Sequence, residues 1–467
     1  MRIALVELKS ADYLNIYAII NMPRGTPLLA AILEQHGHDV TCYVETVESF
    51  RWQDLMDYDL IGFSIISCTA KPTYSMIKRL RKAGYRRTIV VGGPHATAQP
   101  EESLNVGANF VVRHEGDITF PELVKAVDEF KFLDDVPGIS WKVRRDETRN
   151  NPDRAFLTEA ELSELPMPAF RTIVGYKKMR QISLTCSRGC QYACYFCAVR
   201  GMFGPQYRFT TCDWRMAQLK AFRDQYPELW QSCVIFFADD NFFGTPRGKQ
   251  ITIEMLKRMI SEELIPPKGW LCQMRVTDAT PELVKLMKKA GCNTVCLGIE
   301  SADADTLKAL KKGQTPEQIR IGLENLYRAG IETLAMTIAG ADNGNFWSFF
   351  REIRTLTKWH ITYLQVVAMV PLPDTPMTDQ LISDGRKFSK NYDRYNGMHV
   401  LIKPKRMSRF GVFMSLYFVS IWFYFLTGHG RRLFNRHFRQ YWKMIGITLR
   451  QSLKWPWQTI KERFISH

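Results

Sequence analysis

Short apolar runs alternate with amphipathic stretches along the first part of the chain, up to about residue 130. Runs rich in Val, Ile and Leu predict buried strands, and apolar residues at helical spacing predict helices between them. The predicted strands are Ile3–Val6, Val40–Val44, Leu60–Ile66, Thr88–Val91 and Phe110–Val112, and the predicted helices are Thr26–Gln35, Tyr74–Ala83 and Phe120–Phe130. This alternation predicts a doubly wound, Rossmann-like parallel sheet, which binds ligands at the carboxyl ends of its strands.

The same alternation resumes at Gln181, after a polar segment that contains several prolines. The predicted strands are Gln181–Leu184, Val234–Ala238, Leu271–Arg275, Thr294–Ile299, Thr333–Ile338 and Tyr363–Ala368, and the predicted helices are Asp213–Phe222, Arg247–Ser261, Thr280–Ala290, Pro316–Ala329 and Asn345–Lys358. Six βα units predict a partial (β/α)6 barrel of the TIM type, with its chemistry at the C-terminal ends of the strands. The expected parts are a first α/β domain (1–135), a connector (136–180), the partial barrel (181–375) and a mainly helical C-terminal region (376–467).

Composition and charge narrow the class of protein. The chain has 467 residues, of which 46% are hydrophobic and 24% charged, and this balance excludes disordered and fibrous proteins. Residues 401–467 contain thirteen Lys or Arg and a single acidic residue, so an anionic partner, either nucleic acid or a membrane surface, is expected there. Residues 1–7 are typical of a strand rather than a signal peptide, which predicts a cytoplasmic location.

Three of the eleven cysteines form a CxxxCxxC motif, Cys190, Cys194 and Cys197, at the end of the first predicted barrel strand. Three thiolates in one loop can hold three irons of a [4Fe–4S] cluster and leave the fourth iron open to another ligand. A zinc site with Cys186 as the fourth ligand is the alternative. The odd number of cysteines in a reducing compartment disfavours a disulfide framework.

The cysteine motif, with Phe196 before its last member, resembles the signature of the radical S-adenosylmethionine (SAM) superfamily. In that superfamily the open iron chelates SAM, and one electron cleaves SAM to methionine and a 5′-deoxyadenosyl radical. The resemblance implies that Glu300 and Arg275 contact the SAM ribose or carboxylate, and that Asp239 or Asp240 lies beside the methionyl end. The expected SAM-binding residues are Phe196, Asp239, Asp240, Gln273, Arg275, Glu300 and Ser301.

Two glycine-bearing turns follow strands of the first domain, Gly92-Gly93-Pro94-His95 and Glu115-Gly116-Asp117. Each could be an ordinary tight turn between a strand and a helix. The order of doubly wound domain, connector and cysteine-bearing barrel, however, resembles the cobalamin-dependent branch of the superfamily. The resemblance implies cobalamin contacts at Ser64, Thr69, Gly92, Gly93, His95, Glu115 and Gly116. The chain has no DxHxxG motif, so no lower ligand of cobalt is marked, and His95 is either a cofactor contact or a turn histidine.

The resemblance also implies a reaction, the methylation of an unactivated sp3 carbon. The deoxyadenosyl radical would remove a hydrogen atom from the substrate, and methylcobalamin would supply the methyl group. A protein nucleophile is not expected, since the cofactors carry the difficult steps. A reductant such as flavodoxin or ferredoxin is the expected partner. A carrier without enzymatic activity is disfavoured, because a binding module has no need of an open iron.

The C-terminal region combines a long apolar run with basic flanks. Residues 410–427 are uncharged, and as a helix at about 1.5 Å per residue they would nearly cross a bilayer of about 30 Å. Basic residues on both sides favour a helix lying in the membrane interface, or one packed on the barrel. A second aromatic and basic stretch follows, with Phe434, Phe438, Tyr441, Trp442, Trp455, Trp457 and Phe464. We therefore expect peripheral association with the inner face of the cell membrane; RNA binding is the disfavoured alternative.

A hydrophobic substrate follows from that location. Residues 370–376, 392–400 and 405–408 resemble the corresponding segments of hopanoid methylases, and the type acting at carbon 3 is the expectation. The alternatives are an anaerobic magnesium-protoporphyrin IX monomethyl ester cyclase, another lipid or natural-product methylase and, more distantly, a tRNA-modifying enzyme.

Overall fold

The computed structural model describes residues 1–11, 22–23, 25–144 and 146–428. The strands are β1 Arg2–Glu7, β2 Asp39–Val44, β3 Leu60–Ser64, β4 Thr88–Gly92, β5 Phe110–Val112, β6 Ile139–Arg144, β7 Glu147–Asn150, β8 Gln181–Leu184, β9 Ser187–Arg188, β10 Arg208–Phe209, β11 Val234–Phe237, β12 Trp270–Met274, β13 Cys292–Glu300, β14 Glu332–Ala339 and β15 Tyr363–Ala368. The expected second aromatic and basic stretch of the C-terminal region lies outside the described residues.

Sixteen α-helices connect and cover these strands within the described ranges. They are α1 Thr26–Gln35, α2 Ser67–Lys82, α3 Pro94–Ala98, α4 Pro100–Asn105, α5 Gly116–Asp128, α6 Glu159–Leu162, α7 Val199–Phe203, α8 Cys212–Gln225, α9 Pro227–Ser232, α10 Pro246–Ser261, α11 Pro281–Lys289, α12 Ala304–Ala309, α13 Pro316–Arg328, α14 Phe346–Lys358, α15 Pro376–Ser383 and α16 Arg409–Ile421.

The first sheet has the strand order β2-β1-β3-β4-β5-β6-β7, and β1 to β5 are parallel. Both of its faces are covered. In β1, Ile3 and Leu5 enter one apolar core while Ala4 and Val6 enter another on the opposite face. A strand buried on both sides reads as a continuous apolar run, which is why the sequence predicts these strands well. The predicted doubly wound domain is confirmed.

Two antiparallel strands, β6 and β7, extend this sheet from within the segment expected to be a connector. The sequence pattern does not predict them, because β7 is short, largely exposed and polar, and so lacks the alternation that marks a strand. Further along the same segment, Ile173 forms an isolated parallel bridge with Cys42 of β2. The segment therefore reaches both edges of the first sheet before it enters the barrel.

The second sheet is fully parallel, in the order β15-β14-β13-β12-β11-β8. Four helices of this domain begin with the same sequence signal, a threonine followed by proline. The threonine side chain accepts a hydrogen bond from a backbone amide of the first turn. The four helices are α10, α11, α13 and α15. Each such cap contributes about 1 kcal/mol to helix stability. The six strands match the predicted ones to within two residues at each end, so the partial barrel is confirmed.

Two helices of the first domain begin earlier than predicted. Helix α2 begins at Ser67 rather than Tyr74, and α5 begins at Gly116 rather than Phe120. Each contains a proline, Pro72 or Pro121, at a place where proline normally marks a helix boundary. Packing outweighs that local preference, because the residues ahead of each proline are buried against the sheet.

Helix α16 lies against the outer side of the barrel. It packs on α14 and β15 through a buried face that includes Val412, Leu416 and Val419. A π-helical turn, Trp422–Leu426, continues it, and the Tyr424 hydroxyl accepts a hydrogen bond from the Leu364 amide and donates one to the Leu364 carbonyl. Of the alternatives left open by the sequence, a helix packed on the barrel is the one observed.

Length and composition alone would allow one helix among the described residues, Arg409–Leu426, to cross a membrane. One third of that stretch is buried inside the protein. A partly buried helix of this length also occurs in the cores of soluble proteins, so this criterion is weak evidence for a span.

Candidate functional site

The three motif cysteines lie in the loop that follows β8, and their exposure distinguishes them from the other cysteines. Cys190, Cys194 and Cys197 are half-buried, while the remaining eight are buried. The Cys197 amide donates a hydrogen bond to the Cys194 carbonyl, which closes a turn between the last two. Within the described residues no three His, Cys, Asp or Glu side chains are already arranged around a metal position. The donor set fits a cluster because three accessible thiols share one loop.

The neighbouring residues fix the path of this loop. Gly189 has a φ of +81°, and a Cβ atom there would lie 2.4 Å from the Gln206 carbonyl oxygen, so only glycine fits. Burial raises the pKa of the Cys190 thiol and raises that of Cys197 to about 12. Binding as thiolates would therefore require the metal to displace these protons.

Phe196 lies within the cysteine motif, directly before Cys197. Together with Tyr195 it packs against a small apolar cluster built around Met377, Leu381 and Tyr395. The amide of Met377 donates a hydrogen bond to the Tyr195 carbonyl. The C-terminal region thus supports the cysteine loop directly, and the predicted SAM contact of Phe196 stays a prediction.

The predicted SAM-binding residues of the barrel all lie at the carboxyl ends of consecutive strands. Asp239 and Asp240 follow β11, Gln273 is on β12, Arg275 follows it, and Glu300 ends β13. Several side-chain atoms at this rim are buried without a hydrogen-bond partner, namely Asp239 Oδ2, Asn241 Nδ2 and Oδ1, Arg275 Nε and Gln314 Oε1. Buried polar atoms normally have partners, so this set fits a site that a polar ligand such as SAM completes.

The two aspartates differ in their surroundings. Asp239 Oδ1 accepts hydrogen bonds from the Cys186 amide and the Ser187 hydroxyl, immediately ahead of the cysteine motif. Burial raises the pKa of Asp239 to about 6. Burial, with the added repulsion of Asp239, raises the pKa of Asp240 to about 7. Asp240 is the less constrained of the two. Its negative charge lies close enough to the cysteines to raise the pKa values of Cys190 and Cys197, although burial of the two thiols has the larger effect.

Two residues that sequence reasoning missed complete this rim. The Arg275 guanidinium lies 3.9 Å from the ring centroid of Tyr192, inside the cysteine motif, and its Nη2 donates to the carbonyls of Lys312 and Gly313. Lys312 Nζ donates to Glu300 Oε1 at 2.8 Å, and both side chains are about one-tenth exposed. Glu300 itself has a φ of +64°, an uncommon value for a residue other than glycine. No spacing in the sequence marks Tyr192 or Lys312, because their partners are distant in the chain.

Ser301 and Gln273 have protein partners in the structure. The Ser301 hydroxyl bonds to the carboxylate of Glu352, and Gln273 Nε2 donates to the Asp239 carbonyl at 3.4 Å. Burial raises the pKa of Glu352. Ser301 is therefore held by α14, beside the rim rather than pointing freely into it.

The predicted cobalamin contacts lie at the carboxyl edge of the first sheet. Ser64, Gly92, Gly93 and Gly116 are half-buried there, while Thr69 is buried and its hydroxyl donates to the Ile66 carbonyl. Gly93 has a φ of +97°, and a Cβ atom would lie 2.7 Å from the Ile65 oxygen. The Ile65 backbone therefore requires glycine at this position. Doubly wound sheets bind their ligands at this carboxyl edge, so the cobalamin contacts stay predictions.

His95 is not open to that edge. Its ring is 1% exposed, Nδ1 is 3.1 Å from the Ser67 hydroxyl and Nε2 is 3.4 Å from the Glu102 carboxylate. The Tyr392 ring packs against it with centroids 4.5 Å apart. Nε2 nevertheless is buried without a hydrogen bond, so both predicted roles of His95 stay predictions.

The first domain contacts the helix that follows the cysteine loop. Met202 of α7, which begins two residues after Cys197, contacts the first domain through its sulfur and its carbonyl. The Thr97 hydroxyl is 3.7 Å from the Met202 sulfur, and His114 Nδ1 is 3.3 Å from the Met202 carbonyl oxygen. Ligands at the first-domain edge and at the cysteine loop would consequently be neighbours.

Comparison with known proteins agrees with both halves of this arrangement. Residues 184–353 match the radical SAM superfamily, and residues 18–124 match the B12 binding domain. In the solved structure of the radical SAM methyltransferase TsrM from Kitasatospora setae, with cobalamin and a [4Fe–4S] cluster bound, the same fold recurs with a TM-score of 0.66 and 15% identity over 82% of this chain and 75% of that one.

Curated relatives cover most of the chain at low identity. An uncharacterized methyltransferase of Pyrococcus horikoshii is 27% identical over 83% of this chain and 84% of its own length. The hopanoid C-2 methylase of Rhodopseudomonas palustris is 27% identical over 78% of this chain and 65% of the relative, and the hopanoid C-3 methylase of Methylococcus capsulatus is 24% identical over 82% and 73%. Bacteriochlorophyllide methyltransferases and anaerobic magnesium-protoporphyrin ester cyclases match at comparable identity.

Proposed function

Because this chain carries the B12-binding and radical SAM domains of the cobalamin-dependent radical SAM methyltransferases, we propose that it methylates an unactivated sp3 carbon of a hopanoid lipid. The observation that carries the proposal is the contact of the first domain with α7, next to the cysteine loop, which supports neighbouring sites for the two cofactors. Hopanoid methylases acting at carbon 2 and at carbon 3 are similar to the chain to nearly the same degree. Carbon 3 of ring A is the position that the sequence resemblance favours.

The residues of the chain have supporting tasks in this reaction. When bound, the cluster supplies the electron that cleaves SAM, and cobalamin supplies the methyl group. Cys190, Cys194 and Cys197 would hold the cluster, and the polar atoms of the barrel rim would orient SAM above it. The half-buried edge of the first sheet would hold the corrin. Closure of the space between the two edges around the bound cofactors would exclude water and protect radical chemistry from side reactions.

Glu300 and its partner Lys312 give the SAM site its sharpest test. We expect Glu300→Gln to weaken SAM binding by about 10- to 100-fold, because a charge-assisted hydrogen bond in a buried site contributes about 1.5–3 kcal/mol. The measurement is a titration of SAM into the reduced, cluster-loaded protein, followed by the change in the cluster's EPR signal. Glu324→Gln removes a carboxylate from an exposed pair with Arg328 and is the matched control. Equal SAM affinity in both variants would contradict the assignment.

A membrane location is the second part of the proposal, and exposed apolar side chains on α14 and α16 support it. We define the exposed aromatic face by Trp347, Phe410, Phe418, Phe425 and Leu426, which are 40–72% exposed. Phe346 and Phe350 connect the two helices by ring contacts with Phe418. Basic side chains at Lys405, Arg406 and Arg409 begin the same helix or precede it, a combination typical of surfaces that bind anionic lipid.

Substitutions in this face should weaken membrane binding. We expect the double variant Trp347→Glu and Phe425→Glu to sediment with anionic phospholipid vesicles at least about tenfold less well than the unmodified protein, because two apolar anchors are replaced by charges that the lipid repels. Ile321→Glu, which alters an equally exposed apolar residue on α13, should bind vesicles normally. Sedimentation of the double variant at the control level would refute a membrane role for this face.

Lipid analysis tests the reaction itself. A strain lacking the gene should lose one methylated polycyclic lipid, detected by mass spectrometry, and a plasmid copy should restore it. Loss of an A-ring methyl hopanoid supports the proposal, and fragment masses separate carbon 2 from carbon 3. Unchanged hopanoids together with altered chlorophyll precursors would favour the tetrapyrrole alternative, which similarity to the magnesium-protoporphyrin ester cyclases supports. Peripheral attachment to the cytoplasmic face and reduction by flavodoxin or ferredoxin complete the proposal.

A further inference from the structure

Four buried charged residues join the first domain to the cysteine loop. Glu115 and Asp117 lie on the loop that follows β5 and at the start of α5, whereas Arg188 and Arg208 lie on the paired strands β9 and β10 of the barrel domain. All four side chains are between 3% and 13% exposed. We call this set the interdomain bridge. Two positive and two negative charges balance within it, as burial requires.

The geometry of the bridge is specific. Arg188 donates to both oxygens of Asp117, at 2.6 and 2.9 Å, and to Glu115 at 3.2 Å. Arg208 donates to both oxygens of Glu115, each at 3.0 Å, and also to the Leu157 carbonyl. Paired guanidinium and carboxylate groups of this kind fix orientation as well as distance. Burial opposes ionisation of Asp117, but the charge and hydrogen bonds of Arg188 outweigh it and lower the pKa of that carboxyl.

One end of the bridge lies at the first domain's predicted cobalamin edge. Gly116, a predicted contact, stands between the two bridging carboxylates, so a ligand that presses on Gly116 moves the backbone that carries both of them. Doubly wound sheets bind their ligands at this edge. The first end of the bridge is thus positioned to respond to cobalamin.

The other end lies beside the cluster. Arg188 is separated from Cys190 by Gly189 alone, and the tight fit of Gly189 against the Gln206 carbonyl leaves little freedom between them. Asp239 of the barrel holds Cys186 and Ser187 from the opposite side. The segment just ahead of the cluster ligands is therefore held between the two domains.

From this placement we propose that Asp117 is a positioning residue, and that the interdomain bridge transmits cobalamin occupancy in the first domain to the cysteine loop. The proposal rests on the assigned cofactor sites and adds a coupling between them. Asp117 need not touch either cofactor for this role. It acts through Arg188, which in turn sets the path of the loop that supplies the cluster ligands.

Hydrogen exchange provides a test that does not depend on turnover. In cluster-loaded, anaerobic protein, hydroxocobalamin should slow amide exchange in the peptide covering residues 186–203 by roughly fivefold or more, because the loop is tied more firmly to an ordered first domain. In Asp117→Asn, hydroxocobalamin should still bind with unchanged stoichiometry, but exchange of that peptide should change by less than about twofold.

A matched variant and a second bridge variant make each outcome decisive. Asp134→Asn removes a carboxylate from an exposed pair with Arg149 of β7, so it should behave like the unmodified protein. Normal slowing of exchange in Asp117→Asn would overturn the proposal, and so would the absence of any slowing in the unmodified protein. If Asp117→Asn folds but binds no hydroxocobalamin, this carboxylate belongs to the cobalamin site itself and the bridge role is wrong. If Asp117→Asn does not fold, Arg188→Lys, which keeps the charge but cannot pair with both oxygens of Asp117, serves as the test under the same criteria.

Discussion

Replacing Cys190, Cys194 or Cys197 with alanine is expected to abolish the brown absorbance of the anaerobic protein and to lower reductive cleavage of SAM by more than about a thousandfold. Each thiolate would hold one iron in a three-cysteine site, and its loss would leave that iron without its ligand. The electron that cleaves SAM comes from the cluster alone, and no side chain at the rim can substitute for it. Iron content, the visible spectrum and the yield of 5′-deoxyadenosine measure the effect.

Cys186→Ala is the control for these variants. Cys186 lies four residues before Cys190 but is buried, and its carbonyl and amide, rather than its sulfur, take part in the hydrogen bonds of the loop. We expect this variant to retain the cluster. Zinc held by four ligands, lost in Cys186→Ala as well as in the three motif variants, would replace the cluster assignment with the zinc alternative.

Replacing Arg208 with methionine is expected to lower the melting temperature by roughly 10 °C, because removing one partner of a buried ion pair costs about 3–5 kcal/mol. Methionine conserves most of the apolar stem but removes the guanidinium, which lies over the Phe156 ring and is the two-pronged partner of the Glu115 carboxylate. Differential scanning fluorimetry of the cluster-loaded protein measures the shift.

Arg247→Met provides the comparison for that shift. Arg247 also lies over an aromatic ring, that of Phe209, but its side chain is 75% exposed and its carboxylate partner is 3.6 Å away. Exposed pairs contribute little, so its melting temperature should stay close to that of the unmodified protein. Equal melting temperatures for the two arginine variants would show that the bridge contributes no stability.

The sequence predicts the sheets well for a physical reason. Strands such as β3 and β4 are buried on both faces, so their apolar runs are visible without knowledge of tertiary contacts. The hairpin of β6 and β7 is different, because it lies at a sheet edge with much of its surface in water and keeps a polar sequence. Whether such an edge segment forms a strand depends on the neighbouring strand with which it pairs. The predicted boundaries of the connector therefore remain predictions.

The candidate site likewise contains some residues that the sequence indicates and others that only the folded structure shows. Spacing identifies the three cysteines, whereas the resemblance to the radical SAM superfamily implies Asp239, Arg275 and Glu300, which parallel strands bring to one rim. Lys312 and Tyr192 could not be found by either signal, because each is defined by a partner from a different strand or loop. The pairing of Glu115 with Arg208 spans 93 residues and exists only in the folded chain. Long-range polar contacts are the part that local patterns do not encode.

The hydroxyl of Tyr424 has a consequence for how the C-terminal region can be shortened. The Tyr424 hydroxyl forms hydrogen bonds with both the amide and the carbonyl of Leu364. At the open edge of β15 it thereby satisfies backbone groups that would otherwise pair with a neighbouring strand. A chain cut before residue 424 would expose unsatisfied backbone along that margin, which invites self-association between copies. Shortened forms intended to stay monomeric should therefore end beyond the π-helical turn.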